Sequence, residues 1–208
     1  MKKLFPLTGL LFIILLMTGC LTALHPLFTE KELIHEPRLL GSWIVSGDDS
    51  VIVNFEKGTP ESFGDLPEVL QKASSRAYIV TVKDLKGNIA QKFYAFPTKL
   101  GDGLYLDYFA ATTPVQKTYD AFYLSHYNAM HSFYKIRFNN NGSFKVSRLK
   151  SEFLENLIRN KQINIRHEQR SDGSFVITAP TAELQQYVLK YGQNKDAYES
   201  TDTYSKIN

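Results

Sequence analysis

Apolar residues recur with a period of two over much of this chain, which predicts a protein built mainly of short antiparallel strands. A first strand is expected over residues 40–45. Val51, Val53 and Phe55 then alternate with Ile52, Asn54 and Glu56. Residues 57–75 break the pattern with Gly58, Pro60, Gly64 and Pro67, so a loop is expected there, with a helical turn over 68–72. Tyr78, Val80 and Val82 share one face, Lys86-Gly87-Asn88 turns the chain, and residues 90–96 return as a hairpin partner. Leu104, Leu106 and Tyr108 mark the next strand after Gly101-Asp102-Gly103. Ser132, Tyr134, Ile136 and Phe138 mark another. Asn139-Asn140-Asn141-Gly142 suits a tight turn, because Asn and Gly tolerate positive φ, and residues 144–149 pair back across it.

The period changes after Ser151. Phe153, Leu154, Leu157 and Ile158 form a helical stripe with Ser151 as the N-cap, and Leu184, Tyr187, Val188 and Tyr191 form a second that opens at Pro180-Thr181. Between them, Ile163 with Ile165 and Phe175 with Ile177 read as two short strands. Gly192 is placed to end the second helix. Near the other end, Thr29 and Glu32 have capping-box spacing, which predicts a helical turn or two over residues 30–34 that stops before Pro37. The fold class is mainly β (α+β): about eight antiparallel strands in a barrel or curled sheet, with two C-terminal helices.

The first residues have a different character. Lys2 and Lys3 precede 21 uncharged residues, with an apolar core at 10–17 and small residues before Cys20. A positive end, an apolar core and a small-residue cleavage site define an export signal. Pro6, Thr8, Gly9, Thr18 and Gly19 thin the stretch too much for a membrane-spanning anchor. The expected organisation is a signal peptide at 1–19, a tether at 20–28, one domain at 29–193 and a polar tail at 194–208.

Met17-Thr18-Gly19-Cys20 resembles the lipobox of bacterial lipoproteins, with Met17 where that family usually has Leu. The resemblance implies cleavage before Cys20, diacylglycerol on its sulfur and an acyl chain on the new amine. Three chains hold a protein firmly, whereas one binds marginally at about 0.8 kcal/mol per buried CH₂. The implied partner is therefore a membrane, reached through Cys20. The implied location is a cell membrane or outer membrane, facing the periplasm or the exterior.

Composition narrows the function. Cys20 is the only cysteine, so no internal disulfide, four-cysteine zinc site or C-x-x-C pair can form. Loss of Lys2 and Lys3 with the leader leaves 22 basic residues against 21 acidic, which argues against a nucleic-acid partner. His126 and His131 have no third ligand at a zinc spacing, and no metal or cofactor is expected. There is no G-x-S-x-G elbow and no glycine-rich phosphate loop, and the chain reads as a non-enzyme. The alternative is an envelope enzyme using His131 as a base, oriented by Asp107 or Asp120.

Leu40-Gly41-Ser42-Trp43 resembles the G-x-W motif that opens the first barrel strand of lipocalins and related calycins. The resemblance implies an eight-stranded barrel with Trp43 plugging its closed end. The family's mid-chain Thr-Asp-Tyr and the final-strand Arg that pairs with the Trp have no counterpart assigned here. His25-Pro26-Leu27-Phe28-Thr29, His131-Ser132-Phe133 and Thr178-Ala179-Pro180-Thr181 also resemble small bacterial lipoproteins without a secure activity. Nine aromatics fall within the 30 positions from Tyr105 to Tyr134, enough to fill a core or to line a cavity. The expected activity is binding of a small apolar ligand or an envelope protein. The candidate residues are Trp43, Tyr105, Tyr108, Tyr123, His131 and Tyr134.

Overall fold

The computed structural model of the chain describes residues 21–64, 66–111 and 129–207. Eleven strands form: β1 (Thr22–Ala23), β2 (Gly41–Val45), β3 (Asp48–Lys57), β4 (Tyr78–Asp84), β5 (Ile89–Leu100), β6 (Gly103–Ala110), β7 (His131–Phe138), β8 (Phe144–Leu149), β9 (His167–Gln169), β10 (Phe175–Ile177) and β11 (Tyr198–Lys206). Strands β2 to β8 run as an antiparallel meander, and β11 lies between β8 and β2 and closes the ring. The result is a closed, lipocalin-like barrel of eight antiparallel strands. Closure removes both sheet edges.

Alternation assigns the two faces of the wall. Val53, Phe55, Tyr78, Val80, Leu106, Ile136, Phe144 and Val146 point inward and form the barrel core. The outward residues of β5 to β7 are apolar as well and are covered in two places. The β3–β4 connection carries α1 (Glu68–Lys72), and with it packs Phe63, Leu66 and Leu70 onto Tyr94 and Phe96. Two helices, α2 (Ser151–Arg159) and α3 (Thr181–Tyr191), join the N-terminal segment in covering Tyr105 and Phe133. Gly192 closes α3 at a negative φ of −67°, and its role is room: a Cβ there would collide with the Tyr105 hydroxyl and the Val188 carbonyl.

Trp43 seals one end of the barrel. A 3₁₀ turn at Pro37–Leu39 places the Leu39 carbonyl 2.8 Å from Trp43 Nε1, which donates to it. The indole meets Phe144 edge-on, with centroids 4.7 Å apart, and Lys206 Nζ of β11 lies 5.6 Å over its ring. Gly41 has φ +113°, and an added Cβ would lie 3.1 Å from Lys206 Cε, so conformation and space both call for glycine. Arg38 stacks 3.9 Å over Phe138 while its guanidinium binds Glu36.

Several expectations are corrected. The residues from 194 onward are not a free tail: β11 is a full barrel strand paired on both sides. Its sequence is mostly Ser, Thr, Asp, Glu and Lys, because backbone pairing, more than side-chain burial, holds it there. Residues 21–28 are not a loose tether either. Leu21, Ala23, Leu27 and Phe28 are buried, and β1 pairs with the start of β7 and with β10. Residues 30–32 form only a turn, although Glu32 Oε2 does accept from the Thr29 amide (2.9 Å) and hydroxyl (2.6 Å). The chain is drawn straight there by the bridge from Leu33 to Thr98. Ile165 is a buried core residue, and the short strand begins at His167. Ser151 is the first residue of α2, one place inside the expected N-cap. Deletion of residues 194–208 should therefore abolish cooperative unfolding in urea; a chain ending at Gln193 that still melts sharply would contradict the closure.

Candidate functional site

The barrel core does not fill the end opposite Trp43. A half-open cavity of about 190 Å³ remains there, with a floor of Val53, Val80 and Val146. Its walls carry Val82, Gln91, Phe93, Tyr108, Ser132, Tyr134, Arg148, Asp202 and Tyr204. Inward alternation puts Tyr108 of β6 and Tyr134 of β7 on adjacent strands, and their rings meet edge-on at 5.1 Å. Phe93 of β5 continues the series, 6.0 Å from Tyr108 at an interplanar angle of 87°. Edge-to-face contacts of this kind add about 0.5–1.5 kcal/mol each beyond area burial.

Three phenols gather in this cavity. Burial pushes the Tyr108 hydroxyl well above its ordinary pKa, with Tyr204 and Tyr134 adding to the shift. Burial, then Asp202 and Tyr134, push Tyr204 up to about 12. Tyr108 and Tyr204 are therefore neutral near pH 7 and offer O–H donors and oxygen acceptors, not phenolate bases. The Arg148 guanidinium lies 5.8 Å over the Tyr134 ring and 3.5 Å from Glu199. A cavity with apolar walls and a few aimed polar groups is the usual form of a small-molecule site.

Of the sequence-predicted residues, only Tyr108 and Tyr134 reach this cavity. Trp43 is in the plug at the other end. Tyr105 points outward into the layer under α3. Tyr123 lies outside the described residues, as do Cys20 and Asp120. Sequence reasoning missed Phe93, Gln91, Arg148, Asp202 and Tyr204. For Asp202, Tyr204 and Lys206 the signal was present as an alternation, but the strand is too polar to announce itself.

His131 also points outward. It pairs with Asp107 through Nδ1 and Oδ1 at 2.7 Å, on neighbouring strands β6 and β7. Asp107 Oδ2 accepts from the Leu27 amide at 2.7 Å, and the His131 ring packs on Phe109. Both residues are nearly inaccessible, at 3% and 0% exposure. Burial pushes the Asp107 carboxyl up, against the opposing pull of His131 and the Leu27 amide. The pair thus fastens the N-terminal segment to the barrel wall. Thr181 Oγ1 and Gln185 Nε2 of α3 hold the same segment through the Pro26 and Leu27 carbonyls. The carboxylate expected beside His131 is present, and among the described residues the pair is buried.

A larger groove, about 420 Å³, lies on the outer wall between β7, β8, β11 and the end of α3. Lys135, Arg137, Lys145 and Lys195 line it, and Lys135 Nζ donates to the Gly192 carbonyl, at the C-terminus of α3, and to Gln193 Oε1 at 3.1 Å. The groove runs across β7, β8 and β11 and is bordered by residues 193–195, just after α3. Among the described residues, no group of three His, Cys, Asp or Glu side chains is arranged to hold a metal, and no helix is long and apolar enough to cross a membrane.

Comparisons with protein-family models, curated proteins and solved structures give no match to this chain. The barrel and its cavity are therefore the basis for reading function.

Two outcomes follow. Asp107→Leu leaves a buried imidazole and the Leu27 amide without their partner, and should cost about 3–5 kcal/mol in urea unfolding; Asp107→Asn should cost less, because its carbonyl still accepts from Leu27. Tyr78 and Tyr204 both have pKa values raised from 10.0 to about 12, chiefly by burial. A raised folded-state pKa gives stability that is complete below pH 10 and lost as pH climbs through about 12. Absorbance at 295 nm should show these phenols ionising only with alkaline unfolding, and early ionisation of all tyrosines would contradict their burial.

Proposed function

We propose that this chain is a lipid-anchored protein of the bacterial cell envelope, cleaved before Cys20 and facing the periplasm or exterior. Its barrel binds a small, largely apolar ligand and performs no catalysis. The half-open cavity carries this reading: valines and Phe93 supply apolar wall, and Tyr108, Tyr134 and Tyr204, with Gln91, Arg148 and Asp202, add polar groups around it. A dry cavity of about 150 Å³ accepts benzene, so a volume of about 190 Å³ suits one substituted ring or the end of a longer chain. The edge-on tyrosines favour a ring with one polar substituent, which would rest on aromatic edges and exchange a hydrogen bond with a phenol. Neither a cofactor nor a nucleic acid has a role in this reading. An envelope protein as partner is the second outcome, and would be indicated if the cavity takes no ligand.

Binding is tested by titrating the mature domain with p-cresol and benzene and following the aromatic and valine methyl NMR signals. Shifts are expected at Val80, Val82, Tyr108 and Tyr134, and Val80→Trp, which fills the floor, should remove them. No shift at any of these positions would end the ligand reading. Anchoring is tested separately: Cys20→Ala should abolish incorporation of labelled palmitate and membrane retention, and membrane retention without label would mean the leader itself is the anchor.

A further inference from the structure

The hairpins at the two ends of the barrel differ in the residues that form their tips. The β4–β5 hairpin stands at the open end, where its paired residues Val82 and Gln91 border the cavity. Its tip carries Leu85 and Ile89, which are 67% and 58% exposed. Leu24, just past β1, is also exposed and leads toward the same end. The two hairpins at the closed end have Gly101-Asp102 and Asn139-Asn140-Asn141-Gly142 at their tips, and the exposed Leu189 of α3 lies beside Gly101. Leu85 and Ile89 give the β4–β5 tip two exposed apolar side chains within five residues.

The proposed point of lipid attachment adjoins β1 in the sequence. Only Leu21 separates Cys20 from β1, and Leu21 is itself buried. Thr22 pairs with Ser132, a cavity residue. Two residues span about 7 Å when extended, so lipid on Cys20 would tie the barrel wall at β1 to the bilayer with little slack.

Charge at the hairpin suits an anionic surface. Lys83, Lys86 and Lys92 flank the tip. Its one carboxylate, Asp84, is folded into the turn, where Oδ1 accepts from the Lys86 and Asn88 amides and Oδ2 from Asn88 Nδ2. Apolar side chains at a tip with lysines behind them form the arrangement that seats in a headgroup layer, typically about 5–10 Å deep.

We propose that the open end of the barrel faces the bilayer, with Leu85 and Ile89 seated in its interface, so that the cavity exchanges ligand with the membrane. This rests on lipid attachment at Cys20. The ligand class narrows accordingly to membrane-partitioned molecules, including the end of an acyl chain, that enter past the β4–β5 hairpin.

Because Cys20 is the only cysteine and would be occupied by lipid, a single introduced cysteine can be labelled without interference. Leu85→Cys, Ile89→Cys and the closed-end Asn140→Cys are each labelled with an environment-sensitive fluorophore in the full lipidated chain. Each is then reconstituted in vesicles of phosphatidylethanolamine and phosphatidylglycerol containing nitroxide lipids. Probes at 85 and 89 should shift to the blue and lose emission to the nitroxides, while the probe at 140 stays in water. Unquenched probes at 85 and 89, or stronger quenching at 140, would overturn the orientation. Mass spectrometry of each preparation separates the two readings. Lipid found on Cys20 with unquenched probes refutes only the orientation, whereas Cys20 without lipid refutes the anchoring and the orientation together.

Discussion

The structure depends on one closure. β11 hydrogen-bonds to β8 on one side and to β2 on the other, and without it the seven-stranded meander would end in two open edges. The closing strand supplies little apolar surface of its own, and its work is done by backbone amides and carbonyls. It also delivers Lys206 to the face of Trp43 and Tyr204 to the wall of the cavity, so the seal at one end and the site at the other are set by the same nine residues. A lysine thus stands where the lipocalin resemblance calls for an arginine.

The aromatic richness of the chain follows from a wall that is buried on both sides. In an ordinary half-exposed sheet only alternate residues are apolar. Around β5 to β7, loop 58–77 and helices α2 and α3 lie against the outside, so Tyr94, Phe96, Tyr105 and Phe133 are as buried as the inward Leu106 and Ile136. Among the described residues, most of the aromatic side chains fill core. The three phenols at the open end are the exception, and there the interior is left partly empty.

The legible part of the fold was the part that follows from side-chain periodicity. Strands β2 to β8, the turn at 68–72 and both C-terminal helices were readable because apolar residues recur at the right spacing. β1 and β11 were not: one has two residues, and the other is polar, and both are held by pairing partners far away in the chain. The site was half legible for the same reason. Tyr108 and Tyr134 share parity with obvious core residues of β6 and β7, whereas Tyr204 and Asp202 sit on a strand whose pattern suggests solvent. Parity also put His131 on the face opposite Ile136, but nothing local revealed that the N-terminal segment would bury that face, or that Asp107 would receive the Leu27 amide as well as the imidazole.

The pairing of Trp43 with Lys206 has a consequence for how the chain acquires its shape. It joins the first barrel strand to the last few residues, and β1 likewise awaits β7 and β10, so few native contacts of the wall's two ends are local. A chain of this topology folds slowly, because loop closure precedes the contacts that reward it. During N-to-C synthesis the ring stays incomplete until the final strand emerges. Until then the meander carries two unpaired edges, and it stays open to pairing with other strands until β11 arrives.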